Sequence, residues 1–508
     1  MMGHHIRSMG TTLLALLGTA LLGGAVALAT PVAAGSRSVW AEVVLAGLGD
    51  PGPILHDADV SYAEVMAGSG TPIPWLGKDG QYMQLVFDNY LNQSFPKLET
   101  PVTPCVSTCN VNALVTPEGL YPMTGVKDLP LNTSVERGVE ILHNQILTDL
   151  AANGPVGDDG ALGVLGYSQS SVIASLEMEK LAGMTDAPDA DQLNFILLGN
   201  PMNPNGGLLS RFAGLNIPSM GLNFYGATPA DTIYPTDIYT IQYDGFADFP
   251  KYPLNVLADL NAFAGIYYVH GTYPETAANA FTELATSDGY AGVTNYFMMP
   301  TTDLPLLEPV RGIPLIGNPI AELLQPDLKV LIDLGYDNPF AATTYADVAT
   351  PFGLFPQWSA IEALPGNLVD GTKDGLENFV NSLSGISLSD LNPLDLLSGA
   401  GGAAGTDPLG SVASFLPNAV NALSDAAANA YAALLPTADI GNALVTSMPA
   451  YLLNLSLDNL MDGDLLNAVG LPLAGAVGLA TMAGGFEFLV IADAAQAVLG
   501  DLTGLIGI

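Results

Sequence analysis

The chain has very little positive charge. Its 508 residues carry 12 Lys plus Arg against 50 Asp plus Glu, a formal net charge of −38, and only five histidines. Phosphate binding needs clustered cations, so this deficit argues against nucleic acid as a partner. It also disfavours simple electrostatic attachment to anionic membranes. Neutral lipids and glycolipids stay open as substrates, and the carboxylates themselves serve solubility. Cysteine is nearly missing: Cys105 and Cys109 are the two in the chain. With no histidine pair beside them they do not make a zinc site, and no other metal centre is expected. In an exported chain their expected state is a local disulfide, closing a very small loop with demanding geometry. From Asp374 to Ile508 there is no Lys, Arg, His or Cys. That stretch cannot supply the base of a serine nucleophile.

What is present is apolar. Hydrophobic residues make up 49% of the chain, enough for a sizeable core, and the length implies more than one region. The amino end reads Met-Met-Gly-His-His-Ile-Arg, then an uncharged run Ser8–Ala34 with an apolar heart at Leu13–Leu28. Small residues at Val32-Ala33-Ala34 suit a cleavage site, so residues 1–34 are expected to be a signal peptide. Retention as a single-span anchor is the alternative.

The most informative stretch is Gly166-Tyr167-Ser168-Gln169-Ser170. It ends the apolar run Ala161–Leu165 and opens the helix-like segment Ser171–Ala182. This is the strand–turn–helix setting of a nucleophile elbow, in which a sharp turn lifts one hydroxyl clear of the sheet. Small residues at 166 and 170 let turn and helix come close. A serine nucleophile needs a base, and histidine titrates nearest working pH. His270 is the one histidine after Ser168, as the chain order serine, acid, histidine requires. His56 and His143 default to structural roles.

The third member is a carboxylate lying between them. The alternating run Ile238–Tyr243 predicts a strand, and Asp244 and Asp248 follow its carboxyl end, where α/β sheets place working groups. Asp248 is preferred, in a loop turned by Gly245 and closed by Pro250. Asp244 is the alternative acid, and two solvated turn aspartates are the plain reading.

The elbow with its second serine, the segment Tyr243–Asn261 and the following Val269-His-Gly-Thr-Tyr273 resemble the mycobacterial PE-PPE C-terminal domain. The resemblance runs from about Tyr62 to about Asn338 and includes Gly68-Ser-Gly-Thr-Pro72. It implies a cutinase-like serine α/β-hydrolase whose serine is Ser168, whose histidine is His270 and whose acid lies in the Asp244–Asp248 segment. No PE or PPE helical module is recognisable at the amino end.

Acyl transfer also needs donors for the developing oxyanion. The backbone N–H of Gln169 is the expected first donor. The second is expected from the glycine-rich loop after the first core strand, from Ser69 or Thr71 beside Gly70, with a hydroxyl in support.

Strand and helix segments alternate: strands at Glu64–Ala67, Asn112–Val115 and Asn194–Leu198, helices at Gln81–Leu91, Ser134–Ala152 (Ser134 as its cap) and Leu254–Phe263. The alternation predicts a mostly parallel, doubly wound α/β sheet covered on both faces. Residues 35–345 form the hydrolase domain in this reading. Within it, the Pro- and Leu-rich segment Thr272–Pro339 either covers an acyl pocket or is ordinary core. Residues 346–508, rich in Ala, Leu, Gly and Asp, form a mainly helical region that packs on the hydrolase or contacts the cell envelope. Five glycines and Pro472 within the uncharged stretch Leu465–Phe486 predict interrupted helices rather than a membrane span.

The combined expectation is a secreted or envelope-associated serine esterase of lipid or other acyl-ester substrates, needing no cofactor. Two alternatives stand beside it. One is an acyltransferase placing fatty acyl chains on trehalose-type glycolipids. The other is a non-catalytic surface protein on a hydrolase scaffold. Oligomeric state is not legible.

Overall fold

A computed structural model describes residues 60–101, 110–153, 161–384 and 410–506. The expected leader over residues 1–34, His56 and the Cys105–Cys109 disulfide lie outside them.

The centre is a seven-stranded sheet in the order β2-β1-β3-β4-β7-β9-β8. Its strands are β1 (Val60–Val65), β2 (Val111–Ala113), β3 (Ala161–Tyr167), β4 (Leu193–Leu198), β7 (Thr236–Ile241), β8 (Thr282–Glu283) and β9 (Thr294–Met299). A two-stranded hairpin, β5 (Asn216–Ile217) with β6 (Leu222–Asn223), stands apart. All neighbours in the main sheet run parallel except β8 on β9. β4 is buried along its whole length, and β3 along all but its last residue. Strands covered on both faces need such continuous apolar runs, here Leu162-Gly-Val-Leu165 and Phe195-Ile-Leu-Leu198.

Alternation along these strands feeds two cores. Leu162, Val164, Phe195 and Leu197 meet helices α1 (Leu131–Asn153) and α2 (Gln169–Ala182) through Val135, Leu142, Val172 and Ile173. Leu165, Ile196, Leu198 and Tyr239 face Tyr82, Met83, Phe87, Tyr90 and Phe281 on the opposite side. Burying each such side chain contributes about 1.5–3 kcal/mol, so the two faces together fix the sheet.

Two expectations need correction, and one open alternative is decided. Ser134 is not the cap of α1, which begins at Leu131. Its hydroxyl instead accepts the Gly119 N–H at 2.9 Å. The segment Thr272–Pro339 contributes a sheet strand, β9, registered on β7 from Thr236↔Thr294 to Ile241↔Met299. Its Leu304 and Leu307 are buried with Tyr243, Ala258 and Ile332, so they are core and not a pocket cover. Lastly, Pro472 does not interrupt its helix.

Beyond β9 the chain is helical. α3 (Val256–Tyr268), the helix that precedes His270, packs against α4 (Gly317–Asp333), and α4 against α5 (Trp358–Ser384). α6 (Gly410–Val445), α7 (Ser447–Met461) and α8 (Leu465–Ile506) pack on one another and on the sheet body. Ile440, Met448, Ala474, Leu479 and Met482 from these helices share one buried cluster with Leu208, Phe212, Phe249 and Phe352. Among the described residues one helical stretch, Leu465–Val498, is long and apolar enough to cross a membrane. A third of its most apolar window is buried against the rest of the chain.

Candidate active site

β3 delivers Ser168 to the carboxyl edge of the sheet, and α2 starts at the next residue. Ser168 has φ 58° and ψ −115°, a conformation that side-chain-bearing residues rarely adopt. Such a residue costs on the order of 1–3 kcal/mol, which the buried apolar residues of β3 and α2 offset. The turn is tight enough that a Cβ at Gly166 would lie 2.6 Å from the Ser170 carbonyl oxygen, so glycine is required there.

His270 opens a short 3-10 turn immediately after α3 and Val269. Its Nε2 lies 2.7 Å from Ser168 Oγ, and its Nδ1 lies 2.8 Å from Asp244 Oδ2. With the Nδ1 proton facing the carboxylate, the free Nε2 lone pair accepts the serine O–H. The imidazole is held from both sides. The Tyr167 ring stacks on it at 5.5 Å between centroids, and Phe246 meets it edge-on at 4.8 Å. The Tyr167 hydroxyl donates to the His270 carbonyl at 2.6 Å.

The preference for Asp248 over Asp244 is therefore corrected: Asp244 is the carboxylate on the imidazole. The reason lies in the turn after β7. Tyr243 takes φ 67°, which reverses the chain and directs Asp244 toward His270. Asp248 folds back instead, and its Oδ2 accepts the Tyr243 N–H at 2.8 Å. Asp244 is fully buried and receives two further donors, the Tyr273 hydroxyl at 2.8 Å and the Phe246 N–H at 3.0 Å. Burial pushes the Asp248 carboxyl up to about 7, and nearby Arg211, itself buried, only partly opposes this.

The oxyanion assignments fare unevenly. Gln169 is the first residue of α2, so its N–H is one of the donors a helix start leaves without an intrahelical partner. The N–H groups of Gly70 and Thr71 donate to the carbonyls of Glu118 and Gly68, at 2.8 and 3.0 Å, and so are not free to meet a developing charge. Ser69, just before them, has no backbone acceptor for its N–H among the described residues. Its hydroxyl donates to Gln169 Oε1 at 3.0 Å, and Gln169 Nε2 donates to Ser134 Oγ at 2.6 Å. These bonds pin the loop against the elbow. A Cβ at Gly68 would lie 3.0 Å from that of Ser168. The Gln169 side-chain network was not visible in the sequence, because its partners lie far away along the chain.

Ser168 and His270 open into a cavity of about 430 Å³. Its walls are mainly apolar, with Leu120, Met123, Val172, Leu208, Met220 and Phe224 among them. That volume falls in the usual range for small-molecule sites. His143 plays the structural part expected of it, pairing with Glu177 at 2.7 Å across α1 and α2. No cluster of metal-ligating side chains occurs among the described residues.

Comparison with known proteins bears on this geometry. The model of the PE-PPE domain matches residues 107–337. An uncharacterized PPE family protein, PPE28 of Mycobacterium tuberculosis, is 42% identical over 87% of this chain and 67% of its own length. The chain belongs to the PE-PPE domain family. The chain is also similar to esterase PE16 of M. tuberculosis, 43% identical over 63% of this chain and 57% of the relative. Diacyltrehalose acyltransferase Chp2 of the same organism is 29% identical over 50% of this chain and 69% of the relative. The matches thus span 57% to 69% of these proteins' lengths.

Proposed function

We propose that this chain is an exported serine esterase of acyl lipids, with Ser168 as nucleophile, His270 as general base and Asp244 as the acid that orients the imidazole. The observation that carries the reading is the unbroken hydrogen-bonded chain from Ser168 through His270 to Asp244 at the mouth of an apolar cavity. The family relationship to an esterase and to an acyltransferase supports it.

In this mechanism Ser168 Oγ attacks the ester carbonyl carbon while His270 Nε2 takes the hydroxyl proton. Asp244 stabilises the imidazolium at Nδ1 without itself becoming protonated. The N–H of Gln169, with that of Ser69 as its partner, receives the negative oxygen. One such donor is worth about 3 kcal/mol in the transition state. The intermediate collapses as His270 gives its proton to the departing alkoxide, leaving an acyl-serine. Water, activated by the same imidazole, then releases the acid. Stacking by Tyr167, the edge-on contact of Phe246 and the three donors on Asp244 keep the imidazole aligned through both steps.

A second reading keeps the same residues and replaces water by a sugar hydroxyl, giving an acyltransferase. The apolar walls and the diacyltrehalose acyltransferase relative favour keeping it. Incubation with an acyl glycolipid and free trehalose separates the two. Free fatty acid is the expected product of the esterase, and a new acyl trehalose that of the transferase. Neither product, from folded protein, would leave a non-catalytic envelope protein.

A further inference from the structure

We propose that the helical region beyond residue 410 forms one wall of the acyl cavity, and that Phe486 is the residue through which it sets which acyl chains are accepted. The proposal rests on the esterase reading of Ser168 and deepens it.

The cavity at Ser168 is built almost wholly from residues between Ala67 and Pro274, and Phe486 of α8 is the exception. Its place there is firmly held. The Phe486 ring meets Phe263 edge-on at 5.8 Å between centroids. The preceding Gly485 admits this approach, since a Cβ there would lie 2.5 Å from the Phe263 ring. Two turns earlier Gly478 lies so close to Pro253 that a Cβ would come within 2.8 Å of it. Ala474 and Met482 of the same helix are buried in the cluster that includes Leu208 and Met220, both of which also line the cavity. One apolar cluster is therefore continuous with the wall.

A second contact ties the same region to the cavity from α6. The Asp439 carboxylate accepts the Tyr121 hydroxyl at 2.6 Å, and the Asp439 carbonyl accepts the Ser219 hydroxyl at 3.0 Å. Tyr121 lines the cavity, and Ser219 precedes Met220, which also does. The helices thus brace two wall segments and supply a third side chain. None of these groups bonds to Ser168, His270 or Asp244, so their effect falls on the chain that fills the cavity and not on proton transfer. Phe486 is a specificity-determining residue in this account.

The test uses the full-length chain and p-nitrophenyl esters from acetate to palmitate. Phe486→Leu and Phe486→Ala enlarge the cavity and raise kcat/KM for palmitate relative to acetate by about tenfold, and Phe486→Trp lowers that ratio by a similar factor. The readout is the ratio between long and short esters, which a uniform loss of folded enzyme leaves unchanged. An equal change on every ester, or none, would overturn the proposal. Should the parent turn over no ester, the esterase reading fails, and binding of dansyl-labelled undecanoate decides this one separately. An affinity that changes about tenfold with Phe486→Ala upholds the wall, and an unchanged affinity refutes it.

Discussion

Residues 60–384 and residues 410–506 solve the problem of an acidic, apolar chain differently. The first stretch contains every Lys and Arg of the described chain and uses them sparingly: Arg211 is buried against the carbonyls of Phe249 and Thr350, and Lys251 pairs with Asp337. Its polar groups are drawn to the carboxyl edge of the sheet, where Ser168, His270, Asp244 and Tyr273 bond to one another. The second stretch has no cation and no histidine. It docks through apolar side chains and close-packed glycines, and it leaves Val445, Met461, Leu465 and Val469 exposed. In the proposed mechanism the first region moves protons and the second shapes the cavity. A defect in the first should remove chemistry, and a defect in the second should redistribute it among substrates.

The largest test of that contrast is removal of the base. His270→Ala should lower kcat on every ester by about 10⁴–10⁶-fold, read from initial rates on esters of several chain lengths. Phe486→Ala in parallel should change the ratio of long-ester to short-ester rates, and a uniform loss on every ester from both variants would break the comparison. Next is the acid. Asp244→Asn should cost about 10⁴-fold in kcat through loss of the imidazole's orientation. Asp248→Asn should stay within about tenfold, since an amide oxygen can still accept the Tyr243 N–H. Reversed magnitudes would return the role to Asp248. Tyr273→Phe, which removes one donor from Asp244, should cost about tenfold in kcat. Pre-steady-state acylation rates would place that loss in the chemical step.

The smallest expected effect concerns pH and confines itself to the body. Burial pushes Glu64, Glu118 and Asp259 up to about 8, and Asp248 up to about 7. Their folded-state values lie above those of the unfolded chain, so between about pH 4 and 8 the folded state holds more protons. Stability is therefore greatest at the acid end of that window and declines as pH rises through it. Thermal unfolding should give a higher Tm at pH 5 than at pH 8.5, and Glu118→Gln should shrink the difference. A Tm that rises with pH would contradict the burial account.

Much of this was legible in the sequence because the decisive signals were local. Gly166–Ser170 stands between an apolar run and a helical one, and chain order left His270 alone. The choice of acid was not legible. Asp244 and Asp248 lie four residues apart past the same strand, and the positive φ of Tyr243 that separates them has no marker in side-chain type. β9 is hidden because Thr294–Met299 sits within a Pro- and Leu-rich segment, whereas its pairing with β7 is non-local. Pro472 failed as a breaker because tertiary packing on both sides of it sustains α8. Phe486 gives no sign at all: an aromatic in an apolar helix reads as core until the fold places it in the lining of a cavity shared with a serine more than 300 residues earlier.

The central claim is that Ser168 is reactive because His270 makes it so. Labelling with a fluorophosphonate, followed by peptide mapping, addresses this without knowledge of the natural substrate. The account predicts a single adduct on Ser168 that disappears in the folded His270→Ala variant. Labelling of another residue, or undiminished labelling of Ser168 after loss of the imidazole, would contradict it.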